Sequence, residues 1–151
     1  MTMDKILIAL ASSPVTKVGK EPFTRQSLPQ KVFTAIWKVE AEVNNGGFSQ
    51  YFWNSSNESA HFVVQALEMI GAPQTASICH RAVAAAFPQG LPLTSVAMQQ
   101  AVHDLSQETR DKLYSLDLEF YSYPHDLTTL LFDYVSAHPE EFGAVPKPDD
   151  A

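Results

Sequence analysis

The sequence predicts an all-α protein, a single compact domain of about six to eight helices. Three observations predict it. Apolar residues recur at helical spacing along most of the chain, no stretch alternates with period two, and capping residues stand ahead of the apolar runs. A chain of 151 residues is long enough to bury one core, and 45% apolar with 18% charged residues is ordinary for a globular domain.

Residues 1–12 read as a short helix that docks through Ile6, Leu7 and Leu10. Residues 13–26 carry Pro14, Gly19 and Pro22 and read as an irregular connection, so 1–26 is an N-terminal arm. The core, 27–142, opens with a capping box at Ser27-Leu28-Pro29-Gln30, with proline in the first turn. Val32, Phe33, Ile36, Trp37, Val39 and Val43 follow as an apolar stripe. Gly46-Gly47 ends that helix, because two glycines admit positive φ without a Cβ penalty.

Phe48, Tyr51 and Phe52 then share one face of a short helix. Ser55-Ser56-Asn57-Glu58 reads as a second capping box, opening a helix that runs to Gly71 with Phe62, Val63, Ala66, Leu67 and Ile70 inward. Pro73 starts the next helix, which turns Ala76, Cys79, Val83 and Phe87 inward and ends at Pro88. Thr94 or Ser95 caps a helix through His103, and Ser106 caps one carrying Leu113, Leu116 and Phe120. Tyr123-Pro124 breaks the pattern, and Leu127 to Val135 form the last long helix before Pro139. Residues 143–151 read as a loose tail.

The stretch around the paired glycines also carries a motif. Glu42-x-x-Asn45-Gly46-Gly47-Phe48-x-Gln50-Tyr51-Phe52-x-Asn54 resembles the DNA mimic protein 19 family, small bacterial helical proteins. The resemblance continues through Ala66-Leu67, Ile70-Gly71-Ala72, Phe87-Pro88, Leu116-Asp117, Phe120-Tyr121, Tyr134, His138-Pro139 and Phe142. It implies a helical fold and, from the family name, an acidic protein that imitates DNA and blocks a transcription factor.

Charge supports the same direction. Net charge is −7, which disfavours direct binding to nucleic acid and suits a basic partner. It is strongly polarised: +4 over residues 1–38, −3 over 39–102 and −8 over 103–151. Asp104, Glu108 and Asp111 follow i, i+4, i+7 spacing and so share a side if the turn between helices permits, with Glu119 close to it two turns on. With Asp117, Asp126 and Asp133 they are the candidate phosphate substitutes.

Catalysis and cofactors find little support. The histidines, His61, His80, His103, His125 and His138, form no metal-ligand pair, and neighbouring Cys79 and His80 point about 100° apart on a helix. No phosphate-binding glycine loop or G-x-S-x-G occurs. Glu42, Asn45, Gln50 and Asn54 could bind a small ligand, with Glu42 as a base. The simpler reading is that they satisfy groups left open where two helices meet.

The expectation is therefore a non-enzymatic, cytoplasmic protein without metal or cofactor, monomeric or homodimeric, binding a basic protein such as a DNA-binding transcription regulator. The lone Cys79 fits a reducing compartment, Asp4 spoils the only signal-peptide candidate, and no run reaches membrane-spanning length. An immunity or antitoxin-like inhibitor of a basic nuclease is the alternative of the same class; a ligand binder or enzyme at the Asn-Gly-Gly turn is the alternative of another.

Overall fold

A computed structural model describes residues 1–12 and 21–149, including every side chain of these except Ser55 and Ser56. It contains α1 (Met3–Ser12), α2 (Leu28–Trp53), α3 (Val63–Met69), α4 (Pro73–Ala86), α5 (Ser95–His103), α6 (Gln107–Tyr121), α7 (Leu127–Ser136) and α8 (Pro139–Phe142). Two 3-10 segments, Phe23–Arg25 and Ser55–His61, complete it, and no strand occurs among the described residues. The domain is all-α.

Helix α2 is the axis, packing against α3, α5, α6, α7, α8 and the Ser55–His61 segment. It starts as the sequence predicts: Ser27 Oγ accepts the Gln30 N–H at 3.4 Å, and Gln30 Oε1 accepts the Ser27 N–H at 3.1 Å. Val32, Phe33, Ile36, Val39, Val43, Phe48, Tyr51 and Phe52 are all buried along it. Burying one such aliphatic or phenyl side chain is worth about 1.5–3 kcal/mol. Phe52 lies edge-on to Phe87 at 5.0 Å, and Phe48 edge-on to Phe120 at 5.9 Å, so α2 is keyed to both α4 and α6.

Three expectations about local structure change. At the paired glycines α2 is kinked rather than ended, and only Gly47 has positive φ (77°); Gly46 is extended at −158°. The helix expected from Ser55 to Gly71 winds as 3-10 through His61 and becomes α-helical only at Val63. The reason is Asn57, which is fully buried and donates from Nδ2 to the carbonyls of Phe52 (2.8 Å) and Ser95 (3.2 Å). That anchorage ties the segment to α2 and α5 and holds it in tighter turns. The Ser55 side chain of the expected capping box lies outside the described residues, as do residues 13–20 of the expected irregular connection.

Thr94 and Ser106 cap α5 and α6 through the N–H groups of Ala97 and Thr109. Pro73 opens α4, and Gly71 before it has φ +86°. α1 docks by burying Ile6 and Leu7. Beyond α7, the chain adds the short α8, whose Phe142 packs on Phe33. Residues 144–149 have no regular structure, although Val145 packs on the core and the Asp149 N–H donates to the Met1 carbonyl at 3.0 Å.

Candidate functional site

The kink in α2 fixes the geometry of the motif. Gly47 combines φ 77° with ψ −178°, a region that is essentially glycine-only. A β-carbon there would lie 2.8 Å from Asp117 Cγ on α6. The reason for so close an approach is a hydrogen bond: Asp117 Oδ1 accepts the Phe48 N–H at 2.8 Å. Phe48 N–H is one of the donors released where the helix breaks, and Asp117 caps the resumed limb.

On the other side of the kink, the polar residues of the motif bond one another. Glu42 Oε2 accepts from Gln50 Nε2 at 2.9 Å and from Asn54 Nδ2, and Gln50 Oε1 accepts from Asn45 Nδ2 at 3.2 Å. A β-carbon on Gly46 would sit 2.7 Å from Gln50 Cδ, so the second glycine makes room for this chain of amides. Glu42 thus serves side-chain amides and not the open backbone groups that the sequence suggests.

These amides form one wall of an open cleft of about 630 Å³, lined by Asn45, Ser49, Gln50, Trp53, Asn54, Val102, His103 and Arg110. Glu42 stands behind the wall. Across the cleft Arg110 donates from Nη2 to the carbonyls of Val102 (2.9 Å) and His103 (3.3 Å), capping the end of α5. Trp53 is 47% exposed, with the His103 ring 6.3 Å away.

Elsewhere the nucleophile candidates are closed off. Cys79 is buried and its thiol is pushed up to about 12 by that burial. Burial likewise raises the Tyr51 phenol, whose oxygen lies 2.6 Å from Ser59 Oγ. No group of three or more His, Cys, Asp or Glu is placed to hold a metal among the described residues.

The seven acidic candidates separate into distinct environments. Glu108 and Asp111 lie exposed on the outer face of α6, opposite the buried Leu113, Leu116 and Phe120. Their contacts are light: Lys112 Nζ is 3.9 Å from Glu108, and Gln107 Nε2 donates to Asp111 at 2.9 Å. Asp104 is exposed but stands at the C-cap of α5, so the i, i+4, i+7 spacing does not run through one helix. The break is Ser106, extended at ψ 159° to cap α6.

Asp133 is exposed on α7. Asp126 is exposed and caps α7, accepting from Thr129 N–H (3.1 Å) and Oγ1 (2.7 Å), which holds its carboxyl below the usual range. Glu119 is held by Arg81 in a two-point pair at 2.8 and 2.9 Å, so its charge is matched within the chain. Asp117 is half-buried against the glycine turn, and its burial raises its carboxyl pKa.

A family model described as DMP19-like protein matches residues 25–138. The chain belongs to that family. No curated protein and no solved structure matches it. None of the described helices of this DMP19-like protein is long and apolar enough to cross a membrane.

The cleft side of the DMP19-like domain contains residues that the sequence does not group with the motif: Ser49, Trp53, His103 and Arg110. Arg110 had a readable signal, being a cation seven and eight residues past the α5 carbonyls it caps. Trp53 had none, because exposure of an aromatic at the end of a core helix depends on what packs beside it.

Proposed function

We propose that this DMP19-like protein acts without catalysis, as an acidic binder of a basic protein in the cytoplasm. Its exposed carboxylates Asp104, Glu108, Asp111 and Asp133 would stand in for DNA phosphates on the DNA-binding face of a transcription regulator. Asp126 caps α7, Asp117 accepts the Phe48 N–H, and Glu119 is paired with Arg81 at the surface. The observation that carries the reading is the charge of the C-terminal third: −8 over residues 103–151, much of it on exposed side chains. Lys112, at 3.9 Å from Glu108, is the one Lys or Arg paired with a carboxylate of α6's first two turns among the described residues.

Carboxylates one helical turn apart are about 5–6 Å apart at Cβ, which approximates neighbouring phosphates along a strand. Their mutual repulsion is relieved by a basic partner, and a complementary field accelerates encounter more than it slows escape. The test is competition. A basic protein recovered by affinity purification is mixed with its labelled DNA and increasing amounts of wild type or Asp104→Asn/Glu108→Gln/Asp111→Asn. Wild type should displace the DNA, less so at high salt because exposed pairs are screened over about 8 Å at physiological ionic strength. The triple variant should displace it weakly. Equal displacement by both proteins would remove this surface from consideration, and failure of wild type to displace DNA would end the mimicry reading.

A further inference from the structure

The geometry points to the cleft beside the glycine kink as a binding site for an acylated amino-acid carboxylate, the chemistry of a peptide's C-terminal end. This inference stands apart from the acidic face of α6 and uses different residues.

Three walls of the cleft ask for three different groups. The first is the amide wall. A carboxylate can only accept, so Glu42 turns the NH2 groups of Gln50 and Asn54 towards itself. Gln50 Oε1 is then taken by Asn45 Nδ2. The carbonyl oxygens of Asn45 and Asn54 are left without a hydrogen-bond partner among the described residues, both on cleft-lining side chains. Open to solvent at the cleft, they can accept from the N–H donors of a ligand.

The second wall is Arg110. Its Nη2 is used by two main-chain carbonyls, and no carboxylate pairs with it among the described residues, in a chain holding 17 Asp and Glu. Both two-point edges of the guanidinium include Nη2, so Nη1 remains to give a carboxylate a single charge-assisted hydrogen bond, roughly twice as strong as a neutral one. The third wall is the half-exposed indole of Trp53, which suits an apolar side chain.

An amide N–H, an apolar side chain and a carboxylate in succession are the parts of an N-acyl amino acid. The cleft, at about 630 Å³, is within the usual range for a small-ligand site. A phosphate carries more charge, and Glu108 and Asp111 on the same helix as Arg110 would repel it more strongly than a single carboxylate.

The experiment follows the two tryptophan indole N–H signals of the full chain by NMR, assigned with Trp53→Phe. Acetyl-Gly-Leu should shift the Trp53 signal saturably and leave Trp37 in place. Its C-terminal amide should bind at least tenfold more weakly. Arg110→Gln should erase that preference for acid over amide. Because Arg110 also caps α5, Ser49→Asp provides a second variant: the Ser49 side chain lines the cleft and makes no hydrogen bond among the described residues. It should weaken the acid at least tenfold while leaving the melting midpoint close to wild type.

A hexapeptide ending in Gly-Leu that binds tenfold tighter than acetyl-leucine would identify a protein chain end as the source, and equal affinities a free N-acyl amino acid. No saturable Trp53 shift at millimolar acetyl-Gly-Leu would overturn the site. So would equal binding of acid and amide, an unaffected Ser49→Asp, or tighter binding of AMP.

Discussion

The Asp117 carboxylate accepts the Phe48 main-chain N–H at 2.8 Å, joining α6 to the kink of α2 across 69 residues of sequence. Gly47 lies directly beneath it, so the hydrogen bond and the missing side chain are two halves of one contact. Gly47→Ala should therefore lose about 3 kcal/mol or more, from a glycine-only backbone region and a collision with Asp117 together. Gly71→Ala is the control. Gly71 also has positive φ, 86°, but nothing lies within 4 Å of an added β-carbon, and a loss near 1 kcal/mol is expected. Urea denaturation of both variants checks this, and equal losses would show that strain alone governs the kink.

Asp117 itself should separate hydrogen bonding from charge. Asp117→Ala removes the acceptor of the Phe48 N–H and should lose about 1–3 kcal/mol. Asp117→Asn retains a carbonyl oxygen there and should lose much less. Burial is the main cause that raises the Asp117 carboxyl pKa, with the Phe48 N–H opposing it. A folded pKa above the unfolded value means that the folded state holds its proton longer, so this residue's contribution falls as pH rises through that interval. Asp117→Asn should remove that decline. An Asn variant as unstable as the Ala variant would mean that the anion, and not the acceptor, supports the kink.

What was legible in the sequence was local. The Ser27 box, the Thr94 and Ser106 caps, Pro73 and the apolar stripes each act over three or four residues, and each stands as read. The spacing of Asp117 on α6 is ambiguous: it borders the buried face and needs Phe48, from another helix, to decide its role. The pairing of Glu119 is illegible for the same reason, since its partner Arg81 is 38 residues away on α4. The Asp126 cap ahead of Leu127 is readable by rule, and the residue is both a cap and an exposed charge. The motif around Asn45 was visible as sequence, whereas the cleft it lines needed α5 and Arg110 brought alongside.

Glu40 carries a second pH dependence. Burial raises its carboxyl pKa, Tyr123 Oη–H donating at 2.9 Å opposes this, and Asp4 and Asp126 add smaller upward contributions. Stability from this group is therefore fullest below the unfolded carboxylate pKa, about 4.3, and is lost as pH rises through the folded value. Asp126 and Glu119, held below the usual range by Thr129 and Arg81, contribute in the opposite sense. The difference between wild type and Glu40→Gln isolates the first effect. Glu40→Gln should gain relative to wild type as pH is raised from 4 to 7, measured by urea midpoint. Parallel curves would show that Glu40 is solvated well enough to titrate normally.

The variant that tests the acidic face must stay folded, and its stability can be anticipated from opposing terms. Glu108 lies in the first turn of α6, where a negative charge is worth about 0.3–1 kcal/mol against the helix dipole. It also has the exposed i, i+4 pair with Lys112, worth at most a few tenths of a kcal/mol. Glu108→Gln loses both. Asp111→Asn and Asp104→Asn remove like-charge repulsion of similar size, while an amide at either place still offers an oxygen to Gln107 or Gln100. The triple variant should therefore melt with a stability change below about 1 kcal/mol. Its association rate with a basic partner should fall while dissociation changes little, the pattern expected of exposed steering charges. Glu119→Gln is the one-charge control, because Arg81 already pairs with that carboxylate and its loss takes no unpaired acid from the surface. Stopped-flow association at two salt concentrations reads both variants. A Glu119→Gln protein slowed as much per charge removed as the triple variant would mean that total charge, and not the exposed set on α5 and α6, sets the encounter rate.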